Sequence, residues 1–157
     1  MERNSKFAVL LGTIINKNDA LMAADNTLDE KSLSLVSVEV AIGVGYTSFV
    51  LLKIDDSIKY FEGVCGLIFL TVSAIFLIVI IWPKKYVSIS PDISKHQDYL
   101  NKSEKELCLQ LISDSQYSFT KNRCNVEDKS KFFRDALILF FLSIFLLILS
   151  VLNKIYV

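Results

Sequence analysis

The chain has 157 residues, and its 17 Lys and Arg balance its 17 Asp and Glu, so the formal net charge is zero. Hydrophobic residues make up 52% of it and fall into three blocks. This grouping argues against a soluble helical bundle, because helices that are apolar all round need further residues to cover them. We therefore predict an all-α membrane protein with three transmembrane helices.

Residues 1–31 predict an amphipathic helix on the cytoplasmic side of the membrane. Phe7, Ile14, Leu21 and Leu28 follow one another at a seven-residue step, and polar residues interrupt the stripe between them. A stripe with this spacing could pack against another helix or a neighbouring subunit. It could equally lie along the membrane interface, and the sequence favours neither.

Residues 32–52 predict the first transmembrane helix, which carries one charged residue, Glu39. A carboxylate at this depth costs on the order of 3 kcal/mol, so Glu39 should face the bundle interior, a pore or a polar partner. Gly43 and Tyr46 share its helical face. Two hypotheses remain open for Glu39. It lines a conducting path in an oligomer, or it is a protonated or hydrogen-bonded structural group.

Small residues also mark the first span. Ala41 and Gly45 form one pair at a four-residue spacing, and Gly43 and Thr47 form another. Such pairs let transmembrane helices approach closely. The pattern predicts that the first span lies inside an assembly rather than at its lipid-facing edge.

We predict an outer loop at residues 53–62 and the second transmembrane helix at residues 63–82. The second span has twenty residues without a charge, about 30 Å of helix, which matches the hydrocarbon thickness of a bilayer. Trp82, Pro83, Lys84 and Lys85 then supply an interfacial aromatic ring, a helix stop and two cations.

Residues 83–135 predict a helical cytoplasmic sensing segment. Ser90 and Pro91 are typical of a helix start, and we expect a short helix from there to about Leu100. Ser103 and Glu106 have the spacing of a capping box. The helix that begins there should continue, without Pro or Gly, into a third transmembrane helix at 136–153, followed by an outer tail at 154–157.

The positions of the cations predict the orientation of the chain. Ten of the 17 Lys and Arg residues lie between Lys84 and Arg134, and four precede the first span. The positive-inside rule therefore places the N-terminus and the segment 83–135 in the cytoplasm and the C-terminus outside.

Lys121, Asn122 and Arg123, together with Lys84 and Lys85, are candidate contacts for an anionic ligand. The alternative is that these cations reflect cytoplasmic topology and attraction to anionic lipid headgroups, worth about 1 kcal/mol for each cation near the surface. No glycine-rich phosphate-binding loop accompanies them.

Catalytic and metal-binding patterns are missing from the sequence. Cys65, Cys108 and Cys124 are an odd number and do not suggest a disulfide framework, and His96 is the single histidine. No nucleophile with a base, no paired carboxylates and no phosphate-binding loop can be found. We expect a protein that is not an enzyme and needs no metal or cofactor, and direct nucleic-acid binding is not expected.

The order of these parts resembles a known family. The matching features are an acidic stretch ending in Lys at 29–31, two spans joined by a tight turn, the Pro-Lys-Lys exit at 83–85, and a long helix with Asn122 and the basic stretch 129–134 before the last span. In this order, over about residues 21–152, the chain is similar to the transmembrane effectors of Pycsar systems and the related SLATT proteins of bacterial anti-phage signalling.

The resemblance implies an oligomeric effector in the bacterial inner membrane. Such a protein stays inactive beside a cognate cyclase or sensor, binds a cyclic nucleotide second messenger made on infection, and disrupts the membrane. In similar proteins a neutral polar residue stands about eight positions after the Lys that begins the first span, whereas this chain has Glu39 there. Two other hypotheses are a non-conducting membrane anchor, adaptor or immunity protein for an enzymatic partner, and a phage holin.

Overall fold

The structure is a computed structural model that describes residues 2–51, 61–87 and 102–155. These residues form three helices, α1 (Glu2–Leu51), α2 (Phe61–Ile81) and α3 (Glu104–Ile155). No strand occurs among them. The predicted all-α class is therefore confirmed.

All three helices are long and apolar enough to cross a membrane, as their length and composition show. The stretches that satisfy this test are Lys6–Phe49, Phe61–Ile81 and Glu104–Asn153. The number of predicted spans agrees with this finding. The least apolar of the three stretches is that of α1, the helix that contains Glu39.

The helix boundaries differ from the sequence prediction at several points. Helix α1 joins the segments predicted as 1–31 and 32–52 into one helix of 50 residues. Helix α2 begins at Phe61, two residues earlier than expected. Most of the predicted outer loop 53–62 and the whole short helix expected from Ser90 to Leu100 lie outside the described residues.

Helix α3 is continuous over 52 residues and includes both the charged stretch and the last apolar run, as the absence of Pro and Gly predicted. One half of the capping box predicted at its start is observed, the bond from the backbone N–H of Ser103 to the Glu106 side chain. The backbone N–H and the hydroxyl of Ser103 donate to Glu106 Oε2 at 3.1 and 2.7 Å. The bond from the Ser103 hydroxyl, with help from the backbone bond, holds the pKa of the Glu106 carboxyl below its ordinary value.

The chain divides into two compact units. The first unit contains Met1–Asn26 and Pro83–Asp128, and the second contains Thr27–Trp82 and Lys129–Val157. Helices α1 and α3 contribute residues to both units, whereas α2 belongs to the second alone. Because the apolar runs of all three helices fall in the second unit, this is the unit whose sequence is suited to lipid.

Packing in the second unit centres on a few buried apolar side chains. Leu77 and Ile80 of α2 and Ala136 of α3 form the centre, with partly buried residues from α1, α2 and α3 around them. The rings of Phe76 and Phe132 meet edge to face at 5.9 Å. All three helices thus contribute to one core, which positions the polar groups described below.

Candidate functional site

The second unit has polar residues inside and apolar residues outside. Its polar interior, as we call this set, consists of the buried side chains Ser32, Glu39, Ser73, Lys129, Ser143 and Ser150. The exposed surface instead carries large apolar residues, among them Val40, Ile68, Ile75, Phe141 and Phe145. This distribution is the one that a helix bundle needs in lipid, where polar side chains find partners only on neighbouring helices.

The polar interior follows a regular spacing along two helices. Seven residues make close to two helical turns, so residues at this step share one face. On α1 the step connects Ser32, Glu39 and Tyr46, and on α3 it connects Lys129, Ala136, Ser143 and Ser150. The apolar stripe predicted on α1 at Leu21 and Leu28 is only half buried, beside this face.

Glu39 lies at the centre of the polar interior and is 1% exposed. Its Oε1 atom is 2.5 Å from the hydroxyl oxygen of Ser73 on α2. The same hydroxyl oxygen is 2.9 Å from the carbonyl oxygen of Ala136 on α3. Glu39 Oε2 is buried and has no hydrogen-bond partner among the described residues. One carboxyl group thereby connects three helices through a single serine.

Tyr46, two turns after Glu39, contacts both other helices. Its hydroxyl group is hydrogen-bonded to the hydroxyl of Ser150 on α3 at 2.8 Å. It also occupies the space that a Cβ atom at Gly63 of α2 would fill. Only glycine at position 63 allows this arrangement, so Gly63 is a requirement of the Tyr46–Ser150 bond.

Glycine also brings α2 close to α3 one turn further along. The Ser143 hydroxyl donates to the carbonyl oxygen of Gly66 at 2.7 Å. A Cβ atom at Gly66 would stand 2.8 Å from Leu147 Cδ2, too close without a shift. Gly43 of α1 lies against α2 in a similar way, because a Cβ atom there would be 3.3 Å from Leu70 Cδ2. Glu39, Gly43 and Tyr46 thus all face neighbouring helices.

An ion pair between α1 and α3 lies at one end of the polar interior. Lys129 Nζ donates to Asp29 Oδ1 and Oδ2 at 2.9 and 3.1 Å. The Lys129 side chain is 2% exposed and the Asp29 side chain 33%. In the sequence, Asp29 and Lys129 lie in separate charged stretches, and nothing in either stretch predicts that they pair. The seven-residue spacing was the available signal for this pair. Lys129 belongs to the step on α3, and Asp29 lies three residues before Ser32 of the step on α1.

The first unit contains Asn122, one of the predicted ligand contacts, and buries it to 1% exposure. Its Oδ1 accepts from the Val87 N–H at 3.0 Å, and its Nδ2 donates to the Val87 carbonyl oxygen at 3.1 Å. Nδ2 also donates to Asn18 Oδ1 on α1 at 3.2 Å. Asn122 therefore fastens the non-helical segment after α2 to α3, and its amide is engaged by protein groups.

The four candidate cations lie on the two elements that Asn122 joins. Lys121 is exposed and lies over the Tyr117 ring, 5.8 Å from its centre. Arg123 is also exposed, and its Nε donates to Glu127 at 2.6 Å. Lys84 is half buried and Lys85 exposed. Consecutive residues differ by about 100° around a helix, so Asn122 faces inward while its two neighbours face solvent.

Comparison with known proteins gives no family for this chain, since no family model, curated protein or solved structure matches it. Among the described residues, no group of three His, Cys, Asp or Glu side chains is placed to hold a metal ion. The candidate functional groups are therefore the polar interior of the second unit and the cations of the first.

Proposed function

We propose that the protein is an oligomeric inner-membrane effector of a bacterial anti-phage system. It permeabilises or depolarises the membrane when the cytoplasmic segment 83–135 senses a nucleotide second messenger or a partner protein. The observation that supports this proposal is the polar interior inside three helices that are able to span a membrane. Polar and ionisable groups at such positions are expensive, and they are commonly retained for a function.

The polar interior supplies what a conducting path needs. When the helices of several copies separate and repack, Glu39, Ser73, Ser143 and Ser150 become available to line water. A ligand opens such an assembly only through its higher affinity for the open state, and moving a two-state equilibrium from 1:99 to 99:1 takes about 5.5 kcal/mol. In an oligomer this free energy is supplied jointly by several subunits, each of which binds one ligand.

The cations of the first unit are the proposed contacts for the messenger. Lys84, Lys85, Lys121 and Arg123 provide positive charge for the phosphate of a cyclic nucleotide. Asn122 serves this site indirectly, by holding the segment that carries Lys84 and Lys85 against the helix that carries Lys121 and Arg123. Arg123 must exchange its bond to Glu127 for the ligand.

A second candidate function is a non-conducting anchor, adaptor or immunity protein for an enzymatic partner. It is favoured by the hydrogen bonds of Glu39, Tyr46 and Ser143, all of which are made within one chain. Groups that are already bonded within a single copy need no further copies to satisfy these contacts.

Membrane potential separates the two functions. Cells with the intact genetic neighbourhood are infected with phage and followed with a voltage-sensitive dye. The effector proposal expects depolarisation on infection, and it expects a Lys121→Ala, Arg123→Ala double variant to abolish this response. Lys105→Ala, which removes an exposed cation elsewhere on α3, is the matched control and should respond as the parent does.

An unchanged potential during a protective infection would reject the effector and support the anchor. In that case the protein should be inert when produced alone and should purify with its partner. Depolarisation in the double variant would keep the effector but would remove Lys121 and Arg123 from messenger sensing.

A further inference from the structure

The two contacts of the Ser73 hydroxyl, with Glu39 and with Ala136, need more protons than the hydroxyl has. The Ser73 hydroxyl lies within hydrogen-bonding distance of Glu39 Oε1 and of the Ala136 carbonyl oxygen, at 2.5 and 2.9 Å. A serine hydroxyl has one proton and can donate only once. If it donates to Ala136, the short contact with Glu39 needs a second proton, and if it donates to Glu39, the contact with Ala136 has none.

A neutral Glu39 supplies the second proton, so that both contacts become hydrogen bonds. A proton on Oε1 is donated to the Ser73 oxygen, and the Ser73 proton is then donated to the Ala136 carbonyl oxygen. All three oxygens are thereby joined in a chain that runs from α1 through α2 to α3. An ionised Glu39 would leave one contact without a proton.

The second carboxyl oxygen supports the same assignment independently. Glu39 is 1% exposed, and no donor among the described residues reaches its Oε2 atom. On a carboxylate this atom would share a full negative charge, and burying such a charge without a partner is far more costly than burying a neutral group. On a carboxylic acid with its proton on Oε1, the atom is an uncharged carbonyl oxygen.

Charged groups on the neighbouring helices do not offset a negative charge at Glu39. Helix α2 has no charged residue between Gly63 and Trp82. On α3, Lys129 donates to both oxygens of Asp29. The exposed Arg134 and Asp135 pair with each other at 3.2 Å. On α1 itself, Glu30 and Lys31, which are neighbours in the sequence, are both exposed.

We propose that Glu39, Ser73 and the Ala136 carbonyl oxygen form a proton-binding site within the membrane-spanning unit, with Glu39 present as the neutral acid. The bound proton acts as a structural ligand that connects the three helices. This inference concerns the packing of one chain and does not rest on the proposed function. A conducting effector and a non-conducting anchor would both contain the site.

Infrared spectroscopy of the full chain in lipid bilayers at neutral pH tests the site directly. The C=O stretch of a protonated carboxylic acid is separate from the bands of a carboxylate. We expect this band in the parent protein and expect Glu39→Gln to remove it. Labelling all glutamates with ¹³C should shift the same band, which assigns it to a glutamate and not an aspartate without any substitution.

Two serine variants test the geometry of the site. Ser73→Ala removes the acceptor of the Glu39 proton, so the band should move to higher frequency. Ser143→Ala removes a buried serine that donates to Gly66 instead, and the band should stay in place. Equal shifts in the two variants would show that the band does not report the Ser73 contact, and the assignment would fail.

The absence of a protonated band in both the parent and the ¹³C-labelled protein at neutral pH would overturn the proposal. A band that is present in potassium buffer and disappears on addition of sodium would also overturn it, because the three oxygens would then form a cation site. A band that is unaffected by the cation and is lost in Glu39→Gln is the expected result.

Discussion

The two units differ in their exteriors much more than in their interiors. Buried positions in the first unit include Asp25, Ser115, Ser118 and Asn122, and those in the second include Ser32, Glu39, Ser73 and Ser143. The first unit, however, presents charged side chains such as Lys121 and Glu127 together with a few exposed apolar residues, whereas the second presents mainly valine, isoleucine, leucine and phenylalanine. A polar interior is therefore compatible with either environment, and the exterior distinguishes them.

This difference implies that the units are stabilised by different means. In water, burial of apolar surface drives folding, and the polar bonds in the interior mainly avoid a penalty. In lipid, an apolar side chain gains little by leaving the surface, so close packing and hydrogen bonds between helices must hold the bundle together. Substitutions at glycine and at paired polar groups should consequently weaken the second unit most.

The largest effect is expected for Asp29→Asn. The substitution removes the Asp29 carboxylate from Lys129, which is 2% exposed, and weakening a buried ion pair in this way costs at most about 3 kcal/mol here, because Asp29 is 33% exposed. The free energy of unfolding in bicelles measures the loss. Asp135→Asn breaks an exposed pair with Arg134 and should cost no more than about 0.5 kcal/mol.

A double variant, Asp29→Asn with Lys129→Met, refines this test. Removing both charges should recover most of the stability lost by Asp29→Asn alone, because the Lys129 charge is then removed together with the carboxylate that it contacts. If the double variant were as unstable as the sum of the single variants, the two residues would not be coupled.

Gly66→Ala should have the next largest effect. The added methyl group meets the Leu147 side chain and lies 3.3 Å from the Ser143 carbonyl oxygen, so Leu147 or the two helices must shift, at a cost of about 1 to 3 kcal/mol. Gly45→Ala is the matched control on α1, since nothing lies within 4 Å of its added methyl group. Alanine favours a helix more than glycine does, so Gly45→Ala should be neutral or slightly stabilising. Equal losses in the two variants would show that close approach at Gly66 does not determine the result.

Asn122→Ala tests the first unit. It leaves the N–H and carbonyl groups of Val87 without their side-chain partner, which costs about 1 to 3 kcal/mol when such groups stay buried. Because water can reach a unit with a charged exterior and replace the lost bonds, the loss should lie at the lower end. Faster hydrogen exchange of the Val87 amide is the measurement.

Asn125→Ala is the control for Asn122→Ala, because Asn125 makes one long contact of 3.5 Å with the Lys85 carbonyl oxygen. Exchange at Val87 should be unchanged in this variant. Equal acceleration in the two variants would mean that the segment after α2 is not fastened by Asn122 in particular.

The smallest effect is expected at the start of α3. The pKa of Glu106 is lowered by its bonds from Ser103, so the stabilisation is complete above the ordinary pKa of a glutamate and is lost as the pH falls through the lowered value. Amide signals at the first turn of α3 should therefore shift only in acid. Glu106→Gln keeps an acceptor without a titrating group and should abolish this shift; a shift that persists would have another source.

Most of the fold could be predicted from the sequence, because block hydrophobicity, the absence of Pro and Gly, and the capping box are local signals. The boundary drawn at residue 31 was less successful. It followed the acidic residues at the start of the first span, but charged residues are acceptable inside a helix when they lie at a water boundary or find a partner, as Asp29 does with Lys129.

The inward face of α1 could not be predicted in full. The apolar stripe at Leu21 and Leu28 suggested one face by the rule for soluble helices, whereas the structure buries Asp25 and Ser32. Pairs such as Glu39 with Ser73 join residues on different helices, and a single sequence does not show which helices meet. The grouping of Lys121, Asn122 and Arg123 had a similar weakness, because neighbours in sequence point in different directions on a helix.

The seven-residue spacing in the second unit also restricts how its helices can slide. A shift of α1 by one turn, about 5.4 Å, would separate Glu39 from Ser73 and Tyr46 from Ser150 together, and would bring no other polar residue of the step into their place. A shift of seven residues, about 10.5 Å, would again place one member of the step opposite another. The register of α1 against α2 and α3 is therefore discrete, because a small shift would break the Glu39–Ser73 and Tyr46–Ser150 contacts without replacing them.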